Sequence, residues 1–162
     1  MKFRKYLLNC FLLLIPILLW NIVLFDYLPK PYGADVFWND IPNWIRYGEN
    51  ILRIFVFGVP LIMTLSIKSR NQKIGLLVYL FGILTYFLSW VAVIIYSDSA
   101  WSNSIYGFTA PAYTTIIWFL GIGLIGEKSL FRIPKLFNIY LSLSVLFVIL
   151  HTIHACVVFQ RL

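Results

Sequence analysis

The chain has 162 residues, of which 61% are hydrophobic and 12% are charged, and its formal net charge is +7. A soluble domain carries nearer a quarter charged residues, so this composition excludes an ordinary soluble fold and indicates a bilayer as the solvent. The basic residues stand in short clusters between apolar segments, which argues against nucleic acid as a partner. The length fits a single membrane domain covering residues 1–162.

Five apolar segments are long enough to cross a bilayer as helices, which takes about 20 residues each. They lie at residues 6–25, 51–67, 74–96, 110–126 and 139–159. None shows the alternation of polar and apolar side chains that is typical of a transmembrane barrel. The sequence therefore predicts an all-α integral membrane protein, a bundle of five transmembrane helices.

The first segment follows the basic N-terminus MKFRKY. It is longer than the apolar region of a secretory signal peptide, and no small-x-small cleavage site follows it. We therefore expect a retained transmembrane helix. In the loop that comes next, Asp40 followed by Pro42 predicts a helix start near Ile41. An amphipathic outer segment at about residues 35–50 would then run into the second span.

The fourth span ends in GIGLIG, residues 121–126, which matches the glycine pattern of dinucleotide-binding loops. That fingerprint requires a strand before it and a helix after it, whereas these glycines end an apolar span. Small residues at such positions allow two membrane helices to approach closely. We therefore predict helix packing here and no nucleotide site.

The lysines and arginines are distributed unevenly between the two sides of the predicted bundle. One side holds nine of them: Lys2, Arg4, Lys5, Lys68, Arg70, Lys73, Lys128, Arg132 and Lys135. The other side holds Lys30, Arg46, Arg53 and Arg161. The positive-inside rule then places the N-terminus in the cytoplasm and the C-terminus outside. The expected location is a plasma membrane, which is the inner membrane if the source is bacterial.

Polar side chains recur at helical spacing on the predicted spans, which puts them on one face of each helix. The second span carries Arg46, Glu49 and Arg53; the third Gly82, Thr85, Ser89 and Tyr96; and the fifth Tyr140, Ser144, His151 and His154. Polar faces avoid lipid, so these stripes are expected to meet inside the outer half of the bundle. The predicted ligand-binding residues are Glu49, Arg53, His151, His154, Trp20, Trp90, Asn21 and Ser89.

All six tryptophans map to the outer loops or to the outer half of a span: Trp20, Trp38, Trp44, Trp90, Trp101 and Trp118. Indole rings collect at the headgroup level of membranes, so an aromatic belt explains them. A pocket with aromatic walls on the outer side explains them as well. The sequence leaves both interpretations open.

The two histidines, His151 and His154, are open to three interpretations. They could bond to neighbouring helices, form a proton-titrating or ligand-binding pair, or bind a metal. Two histidines supply only part of a metal site, and Glu49, Asp26 or Asp98 would have to complete it. We therefore assign no metal, no cofactor and no catalytic residue from the sequence.

Three classes of function follow from these patterns. The first is a protein that binds or transports a small amphipathic or lipid-like molecule in an outward-facing aromatic and polar pocket. The second is an interaction protein, such as a complex subunit, an immunity protein or an assembly factor. It would use the Gly121–Gly123–Gly126 face to form a homo-oligomer or to contact a partner subunit in the membrane. The third is a membrane-embedded enzyme, with or without a metal, that acts on a lipid-soluble substrate and uses His151 or His154 as base or ligand.

Overall fold

A computed structural model describes residues 8–131 and 133–162, and the chain folds there into helices and turns. The helices are α1 (Ile15–Leu24), α2 (Ala34–Phe37), α3 (Asn43–Gly58), α4 (Arg70–Ile95), α5 (Ile105–Tyr113), α6 (Thr115–Ile125) and α7 (Leu136–Phe159). Turns of 3₁₀ helix lie at Cys10–Leu13, Phe25–Tyr27, Lys30–Tyr32 and Val59–Ile62. The basic residues Lys2, Arg4, Lys5 and Arg132, and the first two residues of the predicted span 6–25, lie outside the described residues.

Four segments of the described chain are long and apolar enough to cross a membrane. They are Cys10–Tyr27, Arg70–Ile95, Ile105–Ile125 and Leu136–Phe159. They correspond to the first, third, fourth and fifth predicted spans. The fourth begins at Ile105 rather than at residue 110, because Ser104 caps it by accepting a hydrogen bond from the Gly107 amide at 3.1 Å.

The second predicted span, residues 51–67, takes a different form. Its helix, α3, begins at Asn43, directly after Pro42, and the helical part of the chain ends in the turn Val59–Ile62. Pro60 has no amide hydrogen to donate, and the backbone at Met63 is extended. With its charged residues, this segment does not qualify as a span by length and composition, so four spans rather than five are shown.

The segment from α3 to the 3₁₀ turn Val59–Ile62 nevertheless runs the length of the bundle. At one end, Glu49 contacts His154 near the C-terminus of α7. At the other end, the Cys10 amide donates to the Met63 carbonyl at 2.9 Å. From Asn43 onward the predicted outer segment is continuous with the second span in one helix, whereas its earlier residues belong to α2 and to the turn that follows it.

Glycines allow α4 and α6 to cross in close contact. A Cβ atom added at Gly82 would lie 2.5 Å from the Trp118 amide nitrogen, and one at Gly121 would lie 2.5 Å from the Tyr79 nitrogen. In the same way, Gly123 packs against Phe137 and Tyr140, and Gly126 against Met63 and Cys10. The packing role predicted for GIGLIG is confirmed. Because these glycines contact other parts of the same chain, they do not form the free partner surface that the sequence suggested.

A ladder of backbone hydrogen bonds joins three segments at the end of the bundle where Cys10 lies. They are residues 8–10, 62–65 and 128–130. The bonds are Cys10 N to Met63 O (2.9 Å), Leu65 N to Leu8 O (3.1 Å), Thr64 N to Lys128 O (2.8 Å) and Leu130 N to Ile62 O (2.9 Å). We call this feature the backbone ladder. It holds the start of the first span against the loop that follows α6.

The surface of the bundle suits lipid. Along α4, large apolar side chains recur at a spacing of three or four residues and are more than half exposed: Leu77, Leu80, Phe81, Leu84 and Leu88. The opposite face of α4 buries Gly75, Tyr79, Gly82, Tyr86, Ser89 and Val93. This division into a lipid-compatible face and a packed face is consistent with contact between the helices and a bilayer.

Candidate functional site

A buried carboxylate, Glu49, lies at the centre of the polar region. It stands on α3 with no exposed surface, and its Oε1 atom accepts a hydrogen bond from Arg53, one turn further along the same helix. From α7, His151 Nδ1 lies 3.1 Å from Oε1, and His154 Nδ1 lies 2.6 Å from Oε2. The polar faces predicted for the second and fifth spans therefore meet. We call these four residues the Glu49 cluster.

His154 fixes the number of protons in the cluster. Its Nε2 atom lies 2.8 Å from the Phe37 carbonyl oxygen, which can only accept, so Nε2 carries a hydrogen. Its Nδ1 atom faces the other acceptor, Glu49 Oε2, so a second proton must lie between these two atoms. Whichever atom holds that proton, Glu49 and His154 together have no net charge. With His151 neutral, Arg53 then gives the cluster a net charge of +1.

His151 stands between the Glu49 cluster and the surface. Its side chain is 24% exposed, and its ring stacks on Phe147 with the centroids 5.5 Å apart. Because Nδ1 bonds to Glu49 Oε1, the ring is fixed with Nε2 on its other edge. Within the described residues, Nε2 has no hydrogen-bond partner.

Arg53 is the most exposed member of the cluster, with 39% of its side chain accessible. Its guanidinium carbon lies 5.5 Å from the centre of the Trp38 ring and 6.0 Å from that of Phe147. A cation beside aromatic faces is stabilised by the ring quadrupole. The Nη1 atom of Arg53 makes one long contact of 3.4 Å with Asn50 Oδ1. The charge is thus held in place while part of the guanidinium stays accessible.

A cleft of about 710 Å³ lies against Arg53 and His151. Its walls are mainly apolar and aromatic and include Ile17, Leu18, Phe57, Trp90, Trp118 and Phe147. Phe25, which follows α1, and Ile54, on α3, line its edge and are 63% and 72% exposed. The cleft is therefore open at an apolar edge, and Arg53 and His151 provide its basic groups.

The other predicted site residues divide into two groups. Trp90 lines the cleft and meets Tyr32 edge-on at 5.3 Å, and Asn21 lines it while accepting a hydrogen bond from the Tyr86 hydroxyl at 2.6 Å. Two residues do not line it. Trp20 stacks on Phe87 at 4.2 Å, and Ser89 donates to the Tyr86 carbonyl at 2.7 Å.

The six tryptophans also divide. Trp38, Trp90 and Trp118 line the cleft, whereas Trp44 and Trp101 are 62% and 50% exposed. An exposed indole on an apolar helix bundle suits the headgroup region of a membrane. Both interpretations of the tryptophans, a belt and a pocket wall, therefore describe part of the set.

Several residues of the site were not predicted from the sequence. Phe37 contributes a backbone carbonyl, for which no residue type gives a signal. Tyr86 lines the cleft, and its position could have been found, because buried residues of α4 recur every three or four positions from Gly75 to Val93. The predicted α4 stripe ended instead at Tyr96, which is 64% exposed.

The Glu49 cluster fits a shared proton better than a metal ion. Ligand atoms of Glu49, His151 and His154 all lie within 4.8 Å of one another, whereas Asp26 and Asp98 are exposed and are not part of this group. A tetrahedral zinc ion with bonds of about 2.0–2.2 Å keeps its ligand atoms about 3.4 Å apart. His154 Nδ1 and Glu49 Oε2 are only 2.6 Å apart, and Arg53 already bonds to Oε1.

Comparison with known proteins finds no matching family model, no matching curated protein and no matching solved structure. The function must therefore be argued from the geometry of the site.

Proposed function

We propose that this chain is a multi-pass plasma-membrane protein whose outward-facing cleft binds or transports a small amphipathic or lipid-like molecule. The observation that supports this most is the position of Arg53 and His151 in the wall of a large, mainly apolar cleft. Ligand sites are typically about 300–1,000 Å³ in volume, with apolar walls and a few polar groups that orient the ligand. A head group would lie at Arg53 and an apolar chain along the aromatic wall.

The apolar edge of the cleft suggests how such a ligand would reach it. Phe25 and Ile54 are exposed at this edge, beside helices whose outer surfaces suit lipid. An amphipathic molecule could therefore enter sideways from the acyl region, with its chain remaining in an apolar environment throughout. This route favours a lipid-soluble ligand over a small polar solute.

The proposal includes five membrane crossings with the N-terminus in the cytoplasm and the C-terminus outside. Two observations support it. The segment from Asn43 to Ile62 runs from the Glu49 cluster to the backbone ladder, a path as long as the bundle. The described basic residues between α3 and α4 and between α6 and α7 lie at the ladder end, as the positive-inside rule requires of a cytoplasmic face.

The alternatives have less support. The interaction hypothesis relied on the Gly121–Gly123–Gly126 face, which the chain itself covers. The enzyme hypothesis gives His151 or His154 the role of base or metal ligand, whereas both ring nitrogens of His154 and one of His151 already bond within the chain. The geometry of the cleft therefore favours ligand binding over both.

Quenching of tryptophan fluorescence tests the proposal. One variant, Trp20→Phe/Trp44→Phe/Trp101→Phe, keeps the three indoles that line the cleft. Bromine quenches indole fluorescence only at close range, so a brominated single-chain amphiphile in the cleft should quench these indoles. We expect saturation at about one ligand per protein in detergent micelles, as for a single site.

The matched control, Trp20→Phe/Trp38→Phe/Trp90→Phe/Trp118→Phe, keeps only the exposed Trp44 and Trp101. These indoles should show quenching that rises steadily with the amphiphile content of the micelle, without saturation. If the cleft indoles behave in the same way as the exposed pair, the cleft does not bind such a ligand and the proposal is wrong.

A further inference from the structure

The charge of the Glu49 cluster selects among amphipathic ligands. Arg53 and Glu49 form an ion pair, so by themselves they would present no net charge to the cleft. The two hydrogen-bonded nitrogens of His154 require an additional proton, which neutralises Glu49 and leaves the charge of Arg53 uncompensated. The rings of Trp38 and Phe147 flank this charge at the wall of the cleft.

We infer that the ligand is an anionic amphiphile from the bilayer, whose carboxylate or phosphate head binds Arg53 and His151. This inference rests on the proposed function and specifies its ligand class. A neutral head would leave the arginine charge without a counterion, and a cationic head would be repelled. An oxyanion would instead gain charge-assisted hydrogen bonds from a guanidinium whose planar fork matches it.

The geometry leaves room for this contact. Arg53 Nη2 is occupied by Glu49, but Nη1 has only the 3.4 Å contact with Asn50, which an oxyanion would replace. Trp38 and Phe147 hold the guanidinium in position from their ring faces. The Nε2 edge of His151 lies at the same cleft and can donate once it binds a proton.

The test compares ligands that share one brominated chain but differ in the head: brominated stearate, the corresponding alkyl phosphate and the corresponding alcohol. All three are titrated at neutral pH, where the phosphate is ionised and a histidine can still bind a proton, into the variant that keeps Trp38, Trp90 and Trp118. We expect both anions to bind about tenfold more tightly than the alcohol, since a charge-assisted hydrogen bond contributes enough for one decade in Kd. Inorganic phosphate, which has no chain, should compete weakly or not at all.

Substitutions of Arg53 test whether its charge causes the preference for anionic head groups. Arg53→Gln should lower anion affinity to that of the alcohol, while Arg53→Lys should keep part of the preference because it keeps the charge. Lys30→Gln is the matched control, since it removes one positive charge from an exposed position of the outer loop that does not line the cleft. It should leave the preference unchanged. His151→Phe keeps an aromatic ring to stack on Phe147 and should reduce the preference for anions. This variant replaces Arg53→Gln as the test if Arg53→Gln does not fold.

Two results would overturn the inference while leaving the proposed function intact. One is saturable binding with equal affinity for the anions and the alcohol. The other is an anion preference that survives Arg53→Gln or is lost equally in Lys30→Gln. Absence of saturable binding for every head group would instead contradict the proposed function itself.

Discussion

Glu49 is the residue on which the polar interior depends. Three partners from two helices point at one carboxylate that has no exposed surface. Burying a carboxylate is costly unless its oxygens are hydrogen-bonded and its charge is compensated. Here the compensation also joins α3 to α7, so the side chain contributes both to the fold and to the charge of the cleft.

Replacing Glu49 by alanine should destabilise the protein strongly. The change leaves Arg53, His151 and His154 without their common acceptor, and breaking a buried ion pair typically costs about 3–5 kcal/mol. Glu49→Gln should cost much less, because an amide keeps the volume, accepts from Arg53 and can donate to His154 Nδ1. Thermal unfolding of the purified variants in detergent measures the difference.

Asp98→Ala is the control, because Asp98 is an exposed carboxylate. It should leave the unfolding temperature nearly unchanged. Equal unfolding temperatures for Glu49→Ala and Asp98→Ala would show that the cluster does not stabilise the fold.

The members of the cluster could be predicted from the sequence, whereas its protonation could not. Glu49, Arg53, His151 and His154 share helix faces, and polar faces on membrane helices turn inward. The proton count depends on the Phe37 carbonyl, which comes from a four-residue helix before α3. No pattern of residue types shows where a backbone carbonyl of a loop will lie.

At the scale of helices, the contact between α4 and α6 depends on glycines, which have no side chain to hold the two backbones apart. Gly82 lies over the backbone of Ile117 and Trp118, and Gly121 over Tyr79. Membrane helices gain little from apolar burial against each other, so close van der Waals packing of this kind has to stabilise the pair. It also fixes Trp118 and Tyr86, which line the cleft.

Adding one methyl group in this contact should therefore be harmful. Gly82→Ala places a Cβ atom 2.5 Å from the Trp118 nitrogen, so the helices must separate, and overpacking of this kind costs about 1–3 kcal/mol. Gly58→Ala is the matched control, because a Cβ atom there meets nothing within 4 Å. We expect a lower unfolding temperature for Gly82→Ala and an unchanged or higher one for Gly58→Ala, since alanine favours helix over glycine. Equal effects would contradict the packing argument.

The helices that match their predictions are the uniformly apolar ones, and α3 is the one that does not. Its helix starts at Asn43, close to the start predicted near Ile41, but it ends at a proline-containing turn before the end of the predicted span 51–67. The pattern of an amphipathic segment is compatible both with a helix at the membrane surface and with a helix that crosses the bilayer. The sequence predicted the contact between the polar face of α3 and α7, but not the residue at which the helix ends.

For the molecule as a whole, the number of crossings depends on whether the chain from Asn43 to Ile62 traverses the bilayer. If it does, Lys68 is cytoplasmic, whereas with four crossings and the same N-terminus Lys68 lies outside. Position 68 is exposed, so Lys68→Cys can be probed with a membrane-impermeant thiol reagent on intact cells, once the free Cys10 and Cys156 are replaced by serine. We expect no labelling until the membrane is opened, because the positive-inside rule places this basic loop in the cytoplasm.

Asn39→Cys serves as the control for that experiment. Its position follows the first span, so it should be labelled on intact cells in either topology. Labelling of both positions on intact cells would contradict five crossings.

The backbone ladder has a consequence for how the protein is made. Its three segments come from residues 8–10, 62–65 and 128–130, so the last of them is synthesised long after the first. The first helix is therefore made before either of the other two segments of the ladder has been synthesised. During translation it can bond to residues 62–65 only after that segment has been made, and the arrangement closes only when residue 130 has left the ribosome. The end of the bundle that carries the backbone ladder is thus closed late in synthesis.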